Sequence, residues 1–145
     1  MQDIPRIYVD NAIAWAKSQL GNTEYRGKCL AFTEDAYEIS NNVEIFGGDD
    51  AQESAGIYGA GNVEVPPPLG AFVFNSCSGE VEGRMVNWGH VGIAIENNEV
   101  IHAWDKVRID PLGAMEELIP PPGWTKLIYL GWSPVERIFE CYIKK

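Results

Sequence analysis

A run of three prolines, Pro66-Pro67-Pro68, separates two parts of the chain that differ in their pattern of apolar residues. Proline fixes φ and lacks the amide hydrogen that helices and central strands use, so neither kind of element continues through this run. Apolar residues before the run recur at the spacing of a helix, and those after it form short runs bounded by turn residues. Helices followed by strands, rather than alternating with them, predict an α+β fold.

Helical spacing covers three segments before the prolines, and strand-like runs cover most of the chain after them. The predicted helices are residues 10–20, 29–39 and 51–58, with Asp10 and Asp50 as N-caps of the first and third. The predicted strands are residues 71–74, 90–95, 100–104, 106–109 and 126–130, with a polar loop over 75–87. Ser133, Pro134 and Glu136 have the spacing of a capping box, which predicts a final helix over residues 134–143.

The chain has 145 residues and a formal net charge of −10, from 21 acidic and 11 basic side chains. This length is enough for one domain with a core of its own. The negative charge repels nucleic-acid phosphates and anionic lipid headgroups, so we expect neither nucleic acid nor a membrane as a partner. Residues 1–6 lack the basic start and the apolar stretch of a secretion leader, which favours a cytoplasmic protein.

Three cysteines, Cys29, Cys77 and Cys141, make an odd count without a CxxC pair, which argues against a disulfide framework and a zinc site. Cys29 opens a predicted helix. The unpaired amides and the positive end of the helix dipole at that position favour the thiolate and lower the thiol pKa. The amide of Cys29 itself would face an oxyanion that forms beside the sulfur. A small buried apolar residue is the alternative, and it is the commoner state of an isolated cysteine.

The two histidines of the chain, His90 and His102, both fall in the predicted strand pair. A thiolate nucleophile needs a neighbouring imidazole, and that imidazole needs an orienting partner, so a helix-start cysteine together with two histidines favours catalysis. A tight two-residue turn at Asn97-Asn98 would place His102 opposite Ile93 and on the other face from His90. The catalytic interpretation therefore predicts an irregular or shifted hairpin.

These residues resemble the NlpC/p60 family of cysteine peptidases over about residues 10–110. The resemblance is carried by the segment around Cys29, by residues 66–74, and by the paired stretch Gly89-His90-Val91-Gly92-Ile93-Ala94-Ile95 and Val100-Ile101-His102-Ala103. It implies a papain-like fold, with N-terminal helices packed on an antiparallel sheet and the nucleophile at a helix start. It also implies that Cys29 is the nucleophile, that His90 is the base, that His102 orients it and that Tyr25 lines the site. Residues 1–145 would then be one catalytic domain, with a core over 10–110 and a C-terminal extension over 111–145.

The segment at the nucleophile departs from the family pattern. The family usually reads Asp-Cys-Ser-Gly, where the aspartate and serine help to hold the amine of a cell-wall stem peptide, and this chain reads Lys28-Cys29-Leu30-Ala31. Residues 27–32 also resemble the start of a CHAP amidase domain. Trp88 and Trp104 lie beside the two histidines in the sequence and are expected to wall a substrate cleft, with a place in the core or at its rim as the alternative. Asp105 is close to His102 in the sequence and is expected to bind substrate or to orient a histidine. A solvated loop carboxylate is the alternative for Asp105.

The expected function is hydrolysis of an amide bond by a Cys-His-His triad, in bacterial or phage peptidoglycan stem peptides or their fragments. The expected mechanism needs no metal and no organic cofactor, and the expected protein is a monomer. The alternatives are a CHAP-type amidase, another thiol hydrolase or acyltransferase with a different substrate, and a binding module of the same fold without turnover. Release by a phage holin or by a non-classical secretion route is the alternative to a cytoplasmic location.

Overall fold

The computed structural model of the chain describes residues 4–145. Residues 1–3, on which part of the expectation about a secretion leader rests, lie outside the described residues. No helix of residues 4–145 is long and apolar enough to cross a membrane.

Three helices precede the proline run, as the periodicity predicts, and one short helix lies near the end of the described chain. The helices are Arg6–Ser18 (α1), Cys29–Asn41 (α2), Ala51–Tyr58 (α3) and Val135–Ile138 (α4). Asp50 caps α3 as predicted, because its carboxylate accepts a hydrogen bond from the amide of Glu53 at 2.9 Å. The prediction that Asp10 caps the first helix was wrong: α1 begins directly after Pro5, and Asp10 instead pairs with Arg6 across one turn.

The strands are Val43–Glu44 (β1), Phe72–Ser76 (β2), Ser78–Val81 (β3), Arg84–Asn87 (β4), His90–Ile95 (β5), Glu99–Ala103 (β6), Val107–Pro111 (β7), Ile128–Ser133 (β8) and Ile143–Lys144 (β9). The predicted polar loop over 75–87 was wrong, because it forms the hairpin of β3 and β4 around Glu82-Gly83. Both strands are largely exposed, so they lack the alternation of apolar and polar residues that marks a half-buried strand. The predicted final helix ends early, at Ile138, and β9 pairs with β1.

The architecture is α+β: a five-stranded antiparallel sheet in the order β7-β6-β5-β2-β8 carries helices on one face. Helices α1, α2 and α3 cover that face, and their apolar residues form one core with sheet side chains such as Phe72, Phe74 and Ile93. Smaller apolar residues of the other face pack against Met115, Leu127 and their neighbours. Strand β8 comes from residues beyond 111 and pairs with β2, so the C-terminal part of the chain adds a strand to the central sheet.

The register of the β5–β6 hairpin is shifted, as the catalytic interpretation expected. Its turn has three residues, Glu96–Asn98, so His102 lies opposite Gly92 rather than opposite Ile93. Because side chains two residues apart on a strand share a face, His102 and His90 lie diagonally on the same face of the sheet. A Cβ atom on Gly92 would lie 2.8 Å from the Cβ of His102, so the missing side chain of Gly92 makes room for the imidazole.

Candidate active site

A cavity of about 910 Å³ lies where α2 and β5 begin and where β6 ends. Cys29, His90, Trp88, Trp104 and Asp105 all line this cavity, so five of the residues singled out from the sequence surround one space. His102 is fully buried and stands behind His90 rather than at the cavity surface. This arrangement fits a nucleophile and a base at the surface, with an orienting residue beneath the base.

Tyr25 lies outside this cavity. Its hydroxyl donates to the carboxylate of Asp35 on α2 at 2.7 Å, and its ring packs edge-on against Phe32 and Trp15. Burial and the Asp35 carboxylate raise the pKa of Tyr25 to about 12. These contacts hold the segment before α2 against that helix, and none of them faces the cavity.

Cys29 is the first residue of α2 and is partly exposed to the cavity. The residue before it, Lys28, makes no capping hydrogen bond with its side chain. The backbone amides of Val91, Leu30 and Cys29 itself face the sulfur and lower the thiol pKa, but burial outweighs them and raises it to about 11. The expectation of a thiolate was therefore wrong for the resting state. Near neutral pH the sulfur carries its proton, because removal from water destabilises the thiolate more than the hydrogen bonds from the amides stabilise it.

His90, His102 and Asp110 form a hydrogen-bonded chain across three strands. His90 Nε2 and His102 Nδ1 are 2.8 Å apart, and His102 Nε2 and Asp110 Oδ2 are also 2.8 Å apart. The two imidazole rings meet edge-on, with an angle of 87° between their planes. All three residues are buried, at 3%, 0% and 8% exposure. The chain leads from the cavity surface to the far strand of the sheet.

Asp110 fixes the protonation of both rings. The hydrogen bond from His102 and the Arg108 guanidinium hold the pKa of Asp110 below its usual range, so it is a carboxylate and can only accept. His102 therefore carries its proton on Nε2, which leaves Nδ1 to accept a hydrogen bond from His90 Nε2. A neutral His90 with its proton on Nε2 has a free lone pair on Nδ1. That nitrogen is the one a general base would use.

Both histidines are neutral near pH 7. Burial lowers the pKa of His90 well below its ordinary value, and His102 adds to this effect. Burial also lowers the pKa of His102, although the hydrogen bond to Asp110 acts in the opposite direction. Cys29 and His90 therefore line the same cavity as a protonated thiol and a neutral imidazole, rather than as a thiolate and an imidazolium.

Arg108 and Asp110 are parts of the site that the sequence did not reveal. The guanidinium of Arg108 donates to both carboxylate oxygens of Asp110, at 2.8 and 3.2 Å, and to Asp105 at 3.2 Å. Asp105 lines the cavity, but its carboxylate is paired with Arg108, the same side chain that holds Asp110. Arg108 and Asp110 are two residues apart on β7, so their side chains share a face of the sheet, and this spacing is visible in the sequence. The spacing indicates a place in the site only when β7 is known to pair with β6.

The side chain of Asn75 supplies further polar atoms on this face. Asn75 lies directly opposite His90 on β2 and is 1% exposed. Within residues 4–145, neither polar atom of its carboxamide has a hydrogen-bond partner. Cross-strand partners point to the same face, so the carboxamide lies beside the His90 imidazole. The sequence predicts a loop at this residue and carries no motif that indicates a role for it.

Aromatic and proline residues form the remaining wall. The rings of Trp104 and His90 meet edge-on at 5.2 Å, and Trp104 Nε1 donates to the carbonyl of Ile119 at 3.2 Å. The cavity is also lined by a loop that carries no recognisable motif in the sequence, through Ile119, Pro120, Pro121 and Trp124. Within residues 4–145, no group of three or more His, Cys, Asp or Glu side chains is arranged to hold a metal ion. Neither the family models nor the curated proteins compared with this sequence give a match.

Proposed function

We propose that this chain is a papain-like cysteine hydrolase that cleaves an amide bond. The single observation that carries the proposal is the buried chain from His90 through His102 to Asp110, next to a cavity that Cys29 also lines. A histidine that only stabilises a core needs one satisfied hydrogen bond. Two histidines with defined tautomers and a carboxylate at the far end instead match the requirements of a general base.

Acylation begins from the neutral pair. His90 Nδ1 removes the thiol proton of Cys29 as the sulfur attacks the carbonyl carbon, and a C–S bond forms while the carbonyl oxygen gains the negative charge. The amide of Cys29 and its neighbours at the start of α2 are donors for this oxyanion. His90 then gives its proton to the leaving nitrogen as the C–N bond breaks, which releases an amine and leaves a thioester.

Deacylation repeats these proton transfers with water. His90 Nδ1 takes a proton from water as its oxygen attacks the thioester carbonyl, and the proton passes to the sulfur as the C–S bond breaks. In each half of the reaction an imidazolium forms transiently at His90. His102 accepts the Nε2 hydrogen bond of His90 and holds the ring in place, and the Asp110 carboxylate two links away supplies the negative charge that favours the cation.

Peptidoglycan stem peptides or their fragments are the proposed substrate class, and the resemblance to the NlpC/p60 family supports this choice. Lys28, Leu30 and Ala31 beside Cys29 lack the aspartate and serine of the family pattern, so other amides, and transfer of the acyl group to acceptors other than water, are alternatives. A binding module without turnover is the second candidate, and the raised pKa of Cys29 favours it, because a protonated and partly buried thiol reacts slowly.

Substitution of the nucleophile tests the proposal. We expect Cys29→Ala to abolish release of peptides from purified peptidoglycan, measured by mass spectrometry, and to leave the circular dichroism spectrum unchanged. Cys141→Ala, which removes an exposed cysteine, should keep full activity. Turnover by Cys29→Ala at the wild-type rate would contradict the proposal.

Alkylation separates the two candidates. In an enzyme, His90 assists removal of the thiol proton, so iodoacetamide should label Cys29 faster in the wild type than in His90→Ala at pH 7. The labelling rate of Cys141 should be the same in both proteins. Equal labelling of Cys29 in both proteins, together with no released peptide, would support the binding module.

A further inference from the structure

The cavity beside Cys29 has a wall made of large apolar side chains. We call this the tryptophan wall, and it consists of Trp88, Trp104, Trp124, Ile119 and residues 120–121. None of its three indole rings is fully buried, so part of each faces the cavity or the solvent. Concave surfaces with aromatic lining and few polar groups are typical of sites for small apolar ligand groups.

Apolar side chains stand at the mouth of the cavity and face water. Ile119 is 84% exposed and Val81, which also lines the cavity, is 43% exposed. Burial of such surface by a ligand removes it from water and is favourable roughly in proportion to the apolar area. These two residues extend the tryptophan wall to the cavity edge, where an entering apolar group would meet them first.

The wall is held in place by backbone contacts. Trp104 Nε1 donates to the carbonyl of Ile119, which ties the loop to the strand of the second histidine. Trp124 packs closely against Gly79, where a Cβ atom would lie 2.1 Å from the indole ring. The amide of Glu80 donates to the carbonyl of Gly123 at 3.3 Å. A ligand group therefore meets a surface that is formed before it arrives, which lowers the entropy cost of binding.

Most charged residues around the cavity are already engaged. Asp50 caps α3, Asp105 pairs with Arg108, and Arg26 Nε approaches the backbone oxygen of Asp105 at 3.5 Å. Lys28 and Asp49 line the rim without an ion pair among residues 4–145, and they carry opposite charges. The rim therefore favours neither sign of ligand charge strongly. Selectivity for a ligand group then depends mainly on its contacts with the tryptophan wall.

We infer that the substrate carries an aromatic or branched apolar group next to its scissile carbonyl, and that this group packs against the tryptophan wall. The inference rests on the proposed function, since it takes the carbonyl to lie at Cys29. It narrows the substrates to amides of apolar acyl groups, and so favours the other amides that the residues at the nucleophile allow over peptidoglycan stem peptides. An apolar pocket gains about 10-fold or more in specificity for each methylene group that it fills.

Binding to an inactive variant tests the inference without turnover. In Cys29→Ala, we expect N-acetylphenylalaninamide to bind at least about tenfold more tightly than N-acetylglycinamide, measured by isothermal titration calorimetry. Ile119→Ser and Trp124→Ala, each added to Cys29→Ala, should reduce this preference. Because Ile119 is exposed, its substitution leaves the fold intact even if loss of Trp124 does not. Trp15→Phe, on α1 away from the cavity, is the matched control and should keep the preference.

The outcomes separate the inference from the proposed function. Equal affinity for the two amides, or a preference that survives both Ile119→Ser and Trp124→Ala, would overturn the inference. Tight binding of the phenylalanine amide by Cys29→Ala, with no hydrolysis of the matching 4-nitroanilide by the wild type, would leave the tryptophan wall as a binding site for apolar groups, and it would defeat the proposed hydrolase together with the scissile carbonyl at Cys29. Hydrolysis of the acetylglycine and acetylphenylalanine anilides with equal kcat/KM would uphold the hydrolase and defeat the inference.

Discussion

At the scale of single residues, Asp110 has the greatest influence on the proposed chemistry without touching the cavity. It accepts the proton of His102 Nε2, and the tautomer of His102 in turn directs the proton of His90 to Nε2. Arg108 keeps the carboxylate ionised. Asp110 is therefore a positioning residue, which acts on the reaction through two imidazole rings.

Asp110→Asn tests this role. An amide can donate to His102 Nε2 as well as accept from it, and it lacks the charge that favours an imidazolium at His90. We expect kcat to fall by about 100-fold or more. The acidic limb of the kcat/KM profile should move to lower pH, because Asp110 raises the pKa of His90.

Glu96→Gln is the matched control for Asp110→Asn. It removes an exposed carboxylate at the opposite end of the β5–β6 hairpin and should leave both kcat and the pH profile unchanged. A purely structural role for Asp110 would lower the amount of folded protein and leave the acidic limb of the profile in place.

The sequence was sufficient to name Cys29, His90 and His102 as candidates, because residue type, helix position and strand position are local properties. It was not sufficient for Asp110 and Arg108, because their role depends on the pairing of β7 with β6. The protonation state of Cys29 was also beyond the sequence. The helix start lowers the thiol pKa as expected, but the opposing effect of burial depends on side chains from distant segments.

At the scale of elements, the β5–β6 hairpin sets the distance between the two histidines. Its three-residue turn contains Asn97 and Asn98 at φ of 63° and 56°, a conformation that asparagine tolerates better than most residues. The sequence showed that an ordinary two-residue turn would separate the histidines, but it did not choose between the remaining registers. The exposed β3–β4 hairpin was missed for another reason, since its strands bury little and carry no clear pattern.

Gly92→Ala tests the fit inside this hairpin. The new Cβ would lie 2.8 Å from the Cβ of His102 and 2.9 Å from the carbonyl oxygen of Ile101, so a strand must shift. We expect a loss of about 1–3 kcal/mol in the free energy of unfolding, measured by urea denaturation. Activity at a temperature where the variant is folded should also fall, because the shift moves His102 away from His90.

Gly113→Ala is the control for added volume at a glycine, because a Cβ atom at residue 113 would meet nothing within 4 Å. Its free energy of unfolding should stay within about 0.5 kcal/mol of the wild type. Wild-type activity and stability in Gly92→Ala would show that the hairpin tolerates a wider separation of its strands than its geometry indicates.

At the scale of the whole molecule, several buried acids that are neutral at pH 7 couple folding to alkaline pH. Burial raises the pKa of Cys29 to about 11, and it also raises the pKa of Tyr37 and Cys77. The unfolded chain loses these protons at lower pH than the folded chain does. Above about pH 9 the unfolded state therefore binds fewer protons, and stability falls as pH rises.

We expect the melting temperature to drop steadily between pH 9 and pH 11, as measured by circular dichroism. Cys29 alone accounts for up to about 3 kcal/mol of the loss, from a pKa shift of about two units. Cys29→Ala should flatten this part of the curve, and Cys141→Ala should leave it unchanged. A melting temperature that is constant from pH 8 to pH 11 would contradict the raised pKa of Cys29.

The place of β8 in the sheet affects the order in which the site is completed during synthesis. Strand β2 carries Asn75 opposite His90, and along its other edge it pairs with β8. While the chain emerges from the ribosome, β2, β5, β6 and β7 can pair before β8 is available, so the edge of β2 stays open. The loop with Ile119 and Trp124, which lines the cavity, also emerges after Cys29, His90 and His102. A nascent chain thus contains Cys29 and His90 before it contains the residues that complete the cavity wall and the edge of β2.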